Sequence, residues 1–263
     1  MRVNELEARL RPYETASDRC VPPGFFMVAR LDGRGFTRLT KERRADFERP
    51  FDERFRDMMV ATAQHLMSSC GFTVVHGYTQ SDEISLLFHP RERAFGRKLR
   101  QFVSVLAGEA SARFSLLVGD HGVFDCRISE LPNPELVGEY FRWRSEDAAR
   151  NALGAHCYWA LRKAGKTEAE ATAALNGLAP DAKHELLFGF GTNFNDLPAW
   201  QKRGVGLAWE TYNKDAVSPR TGELVQAVRR RIGVEYELPM REAYAEMVRA
   251  RLAEALAATD DGA

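Results

Sequence analysis

The chain has 263 residues, 44% hydrophobic and 28% charged, with 37 Lys plus Arg against 37 Asp plus Glu. That length suits one large domain or two small ones with a sizeable core. The zero net charge excludes a uniformly basic nucleic-acid binder, so any polyanion site needs charge segregated on one face. No apolar stretch reaches the length of a membrane span, and Met1-Arg-Val-Asn-Glu5 lacks a secretory h-region, so neither a membrane span nor a secretory leader is expected. Cys20, Cys70, Cys126 and Cys157 are scattered, with no CxxC pair and no clustered histidines. A cytoplasmic protein with reduced thiols and no structural zinc is expected.

Residues 4–12 read as a short helix, and Pro22-Pro-Gly24 opens a buried strand, Phe25–Leu31, that ends in Asp32-Gly-Arg-Gly-Phe-Thr37. After the charged segment Lys41–Asp46, Phe51, Phe55, Met58, Met59, Thr62, Ala63 and Leu66 recur at helical spacing. Thr73–Tyr78 and Ile84–Phe88 form a hairpin with Thr79-Gln-Ser-Asp-Glu83 at or near its turn. A helix near 94–117 follows, then a strand at 123–130. The order of elements fits an α+β fold built on a split βαβ, ferredoxin-like palm over residues 1–132.

Pro132-Asn-Pro134 marks the start of a C-terminal region of helices and strands, 133–263, expected to pack on the palm as one compact unit. Residues 135–164 read as helical, and Thr167 with Glu170 forms a capping box for a helix over 168–177. Residues 189–198 read as a loop. Short strands are expected at 201–212 and 232–238 around a turn at Pro219–Gly222, and an amphipathic helix at 239–258.

The chemistry concentrates where strands end in acids. Carboxylates do not belong in a strand core without a cation, so Asp32 and Asp82-Glu83 at strand ends suit Mg²⁺ and a triphosphate. Gly33 and Gly35 let backbone approach phosphate, and Arg34 adds charge. A plain turn in which Asp32 caps the backbone, and a hairpin with solvated acids, are the competing readings. Arg91, Arg93, Arg97, Lys98 and Arg100 offer either a solvated face or counter-charge for phosphates, and Arg229–Arg231 is a weaker case. Phe141, Trp143, Tyr158 and Trp159 read as core, and His76 as structural.

Arg30-Leu-Asp-Gly-Arg-Gly-Phe36 and Gln80-Ser-Asp-Glu-Ile-Ser85 resemble the two metal-bearing motifs of the tRNA-histidine guanylyltransferase family. The resemblance continues through Phe124–Arg127, Trp143-Arg144, Tyr158–Leu161, Lys183–Phe188 and Asn193–Asn195, spanning roughly residues 5–212. It implies a polymerase-like palm, two Mg²⁺ ions, and ATP and GTP as substrates. The 5′-phosphate of tRNA is activated, then attacked by the 3′-hydroxyl of an incoming nucleotide. Asp32 and Asp82 would ligate both metals with Gly33, and Glu83 would support the site. Residues 32–37 (Asp32, Gly33, Arg34, Gly35, Phe36 and Thr37), Ser81, Asp82, Arg49, Arg97 and Lys98 would bind nucleotide. A homotetramer, a dimer of dimers, is implied.

Three departures stand out. Ala149 sits where the family's anticodon-reading motif has its leading His, Arg49 replaces a Lys before Pro50, and Gln101 occupies a basic position beside Arg100. The first resembles the guanylyltransferase-like branch that repairs 5′-truncated tRNAs by templated 3′–5′ addition. The alternatives are a dedicated enzyme adding one guanylate to tRNA-histidine, or, in another class, a palm-fold nucleotide cyclase.

Overall fold

The computed structural model describes residues 3–44, 46–217, 220 and 223–260. After helix α1 (Val3–Thr15), strand β1 (Phe26–Arg34) passes through Gly35 into the short turn α2 (Phe36–Arg38). Helix α3 (Glu53–Ser68), strands β2 (Val74–Gln80) and β3 (Glu83–Phe88), helix α4 (Leu99–Val118) and strand β4 (Val123–Leu131) follow. The remainder is α5 (Pro134–Lys163), α6 (Glu168–Leu175), α7 (Pro180–Gly189), α8 (Ala199–Arg203), the hairpin β5 (Val205–Val217) and β6 (Leu224–Glu235), and α9 (Glu242–Asp260).

The strands form one six-stranded sheet in the order β4-β1-β3-β2-β5-β6, each neighbouring pair antiparallel. Both faces of its central strands are covered. Met27, Ala29 and Leu31 of β1 pack with Leu66 of α3 and Phe102 and Leu106 of α4. Val28 of β1 and Leu87 of β3 pack on the other side with Val137 and Phe141 of α5 and Tyr244 and Val248 of α9. A strand buried on both faces reads as a continuous apolar run, which is why β1 and β3 were visible in the sequence. Each such buried side chain stabilises the fold by about 1.5–3 kcal/mol. An acid ending the run therefore sits at the rim of a rigid, dry layer.

The second half joins the same sheet, because β5 pairs with β2 from Thr79↔Val205 to His76↔Ala208. Several boundaries differ from expectation. Helix α4 starts at Leu99 rather than near 94, because Phe95, Gly96 and Arg97 take φ of +52°, +62° and +61°. Residues 201–203 are helical, β5 runs on to Val217, and β6 spans 224–235 instead of 232–238. Apart from Arg220, the expected turn at Pro219–Gly222 lies outside the described residues. The Thr167–Glu170 capping box is present as expected. No described helix is long and apolar enough to cross a membrane.

Candidate active site

In β1, Asp32 stands opposite Glu83 of β3 on one side and Asp125 of β4 on the other. The next residue ties the two motifs together: the Gly33 N–H donates to the Asp82 carbonyl at 3.0 Å. The two-residue turn Ser81-Asp82 between β2 and β3 is closed by Ser81 at φ +52°. A Cβ on Gly33 would lie 2.8 Å from the Asp82 Cβ and 2.6 Å from the Phe36 ring, so only glycine allows this approach. Phe36 itself is buried, its ring 4.9 Å from Phe114 and 5.0 Å from Phe124. It anchors the Gly-Arg-Gly turn in the core and leaves the backbone to face outward.

The three acids are in different electrostatic states. Both oxygens of Glu83 are taken by the guanidinium of Arg144 from α5, with Nε at 2.7 Å, and Arg30 lies 4.0 Å away. These side chains are only 12% and 11% exposed, so Glu83 and Arg144 form a half-hidden clamp between sheet and helix. Asp32 is 42% exposed and has Arg127 at 3.9 Å. Burial, and behind it the charge of Asp32, pushes the Asp82 carboxyl up to about 6. Asp32 and Asp82 thus converge with too little positive charge between them, which a hard divalent cation would supply.

Two clefts meet at Gln80-Ser81-Asp82. The smaller, about 200 Å³, is lined by Thr37, Lys41, Arg49, Arg56, Asp82 and Trp159. The larger, about 470 Å³, runs beneath α5 past Asp32, Glu83, Arg144, Asp147 and Asn151. In the smaller cleft Arg49 lies over Trp159, 5.6 Å from the ring centroid, and donates to the Thr40 carbonyl. Lys41 lies 5.1 Å over Tyr158. Cations and aromatic faces together are what a nucleoside triphosphate needs: charge for phosphates and a platform for the base.

Of the residues singled out from the sequence, Asp32, Gly33, Phe36, Thr37, Arg49, Ser81, Asp82 and Glu83 are brought together. Gly35 holds φ +73° at the head of α2. Arg34 lines a separate shallow cleft with Arg38, Arg43 and His121. Arg97 and Lys98 stand apart, near the Phe25 end of β1 and on the order of 20 Å along the strand from Asp32. Arg97 is 9% exposed and donates to the carbonyls of Val21, Pro22 and Phe25. Lys98 is 3.4 Å from Asp18.

Sequence reasoning missed Asp147 and Asn151, which follow Arg144 at helical three- and four-residue steps and turn one face of α5 toward the cleft. Asp125 and Arg127, noted in the sequence only as part of the Phe124–Arg127 resemblance, stand beside Asp32 because of the alternation along β4. Trp159, expected in the core, lines the smaller cleft; Trp143 is exposed, and Phe141 is fully buried.

Comparison with known proteins places this geometry. Residues 7–132 match the family model described as Thg1, tRNAHis guanylyltransferase, and residues 135–248 match the Thg1 C terminal domain. The tRNA(His) guanylyltransferase of Schizosaccharomyces pombe is 33% identical over 198 residues, 71% of this chain and 74% of that one. A probable tRNA(His) guanylyltransferase of Drosophila melanogaster is 32% identical over 200 residues, 72% of this chain and 69% of that one. A bacterial tRNA(His) guanylyltransferase (Thg1)-like protein solved in complex with GTP superposes with a TM-score of 0.73 at 27% identity, covering 94% of this chain and 99% of that one. The Saccharomyces cerevisiae enzyme gives 0.68 at 25% identity, covering 76% and 91%. These matches show that the chain belongs to the tRNAHis guanylyltransferase family of nucleotidyltransferases.

Proposed function

We propose that this enzyme adds nucleotides in the 3′–5′ direction to the 5′ end of truncated tRNA, using the tRNA's own opposite strand as template. The observation that carries the chemistry is the Gly33–Asp82 hydrogen bond, which holds Asp32 and Asp82 together at the junction of two clefts. The β1-α3-β2-β3-α4-β4 order, with strands arranged 4-1-3-2, supports reading residues 1–132 as a ferredoxin-like polymerase palm. Residues 133–263 then form the region packed on it. Solved complexes of a bacterial Thg1-like protein with GTP and with ATP support both nucleotides as substrates.

In this reading Lys41 and Arg49 hold the triphosphate of ATP or GTP in the smaller cleft, with Thr37, Ser81 and the Gly33–Gly35 backbone around it. The hard oxygen donors, and the raised Asp82 carboxyl, fit two Mg²⁺ held by Asp32, Asp82 and Gly33. Bound there, Mg²⁺ would supply charge stabilisation for an in-line displacement at phosphorus. Glu83 is a positioning residue: clamped by Arg144, it fixes the hairpin that carries Asp82. The larger cleft, beside Asp32, receives the tRNA 5′ end. We assign the working form to a cytoplasmic homotetramer, a dimer of dimers.

Ala149 at the position of the anticodon-reading His favours repair over marking a single tRNA. The test uses labelled tRNA lacking its first nucleotide, with ATP, all four nucleoside triphosphates and Mg²⁺. Full-length tRNA-histidine lacking only its extra guanylate runs alongside. Extension of truncated tRNAs to a paired acceptor stem, whatever their anticodon, is expected. Addition confined to tRNA-histidine would replace repair with the dedicated guanylyltransferase reading that the names of the curated relatives suggest.

A further inference from the structure

Away from the paired carboxylates, a second group of side chains able to hold a metal comes together on the side of the sheet covered by α3 and α4. His65 lies in the last turn of α3, Cys70 just beyond its end, and Glu109 in α4. Their ligand atoms all lie within 4.8 Å of one another. Gly71, at φ +74°, turns the chain sharply after Cys70, and the thiol folds back to 3.6 Å from the His65 carbonyl. His65 Nε2 meets Glu109 Oε2 at 2.8 Å.

We propose that His65, Cys70 and Glu109 form a zinc site, with water as the fourth ligand. Imidazole nitrogen, thiolate sulfur and carboxylate oxygen are the donor set that this borderline-soft ion takes in tetrahedral geometry. Mg²⁺, which demands oxygen ligands, would not be drawn to it, so the two sites sort their ions by chemistry. A tetrahedral ion with bonds of about 2.0–2.3 Å holds its donors about 3.3–3.8 Å apart. From separations of at most 4.8 Å the sulfur moves inward by up to about 1 Å, and the His65–Glu109 pair, now at 2.8 Å, opens by about 0.5 Å.

Two features prepare the place for a cation. The C-terminal end of a 16-residue helix carries partial negative charge, and all three ligands gather there. His65 and Glu109 side chains are 27% and 44% exposed, which leaves an entry path. On binding, Cys70 gives its thiol proton to solvent and forms the sulfur–metal bond. The His65 Nε2 lone pair turns to the ion, with the ring proton on Nδ1. The first turns of α3, at Phe55, Arg56 and Met59, line the smaller cleft. The ion would therefore sit about 10 Å or more from that cleft, too far to touch substrate.

The experiment titrates Co²⁺, then Zn²⁺, into the full chain stripped with chelator. The expected result is a thiolate-to-cobalt absorption band saturating at one equivalent, bleached by Zn²⁺. Cys70→Ser should abolish the band and weaken Zn²⁺ binding at least about tenfold. Cys126→Ser, which alters the thiol beside Asp125, should leave both unchanged. Glu109→Gln provides a second variant that keeps the side-chain shape and should also weaken Zn²⁺. Absence of a band at one equivalent, or a band that survives Cys70→Ser, would overturn the assignment.

Discussion

The two ends of the central strands treat buried charge in opposite ways. At the Phe25 end of β1, Arg97 is enclosed, and its guanidinium is spent on main-chain carbonyls of Val21, Pro22 and Phe25. At the other end Asp32 and Asp82 face one another with Arg127 no nearer than 3.9 Å to Asp32, and the Asp82 carboxyl rises to about 6. A charge whose hydrogen bonds are all made inside the protein holds structure together. A charge left under-compensated marks where something from solution is to be held.

The largest effect should come from Asp82→Ala, with nucleotide addition falling about a thousandfold or more while circular dichroism stays that of the wild type. Wild-type turnover in that variant would remove Asp82 from the reaction. At the opposite end, Arg97→Ala should cost about 3 kcal/mol of stability, because several buried carbonyls lose their donor. Chemical denaturation measures it, and a midpoint unchanged from wild type would show that Arg97 is as dispensable as a surface arginine. Activity per folded molecule should be unaffected.

Arg144→Lys keeps the charge but loses the two-pronged grip on Glu83. We expect kcat to fall about tenfold to a hundredfold with KM for the nucleotide nearly constant. A change confined to KM would mean that Arg144 contacts substrate rather than positioning the hairpin.

The smallest effect is on stability against pH in the chelator-treated protein. Burial holds His156 down to about 4 and His76 well below its ordinary value, so the unfolded chain binds more protons below about 6.5. Their stabilising contribution is lost as pH falls through that window. Asp82 acts in reverse: with its carboxyl raised from 3.8 to about 6, it costs stability as pH rises between those values. Asp82→Asn should therefore steepen the loss on acidification and raise the melting temperature at pH 7. Parallel curves for the two proteins would show that Asp82 is not under strain.

Much of this contrast was legible in the sequence, and the gaps have physical reasons. The runs Phe25–Leu31 and Thr73–Tyr78 announced buried strands, and the acids that follow them pointed to the candidate site. The pairing of Asp32 with Glu83 and Asp125 depends on register across three strands, which no local pattern encodes. Arg97 misled because an arginine beside a helix looks solvated or phosphate-binding. Three consecutive residues with positive φ, Phe95, Gly96 and Arg97, instead fold it inward. The start of β6 was missed because, beyond the Ala208 pairing with β2, the β5–β6 hairpin has no further partner strand described. With a largely exposed surface, it lacks the apolar alternation that marks a half-buried strand.

Helix α5, 30 residues long, spans about 45 Å. Near its start Phe141 is locked under the sheet, its middle carries Arg144 and Asn151 into the larger cleft, and Trp159 near its end walls the smaller one. One stiff rod thus borders both chambers, so neither can widen by moving α5 without the other registering it. A shift of α5 that widened one chamber would displace a wall of the other, so the two share a single mechanical element.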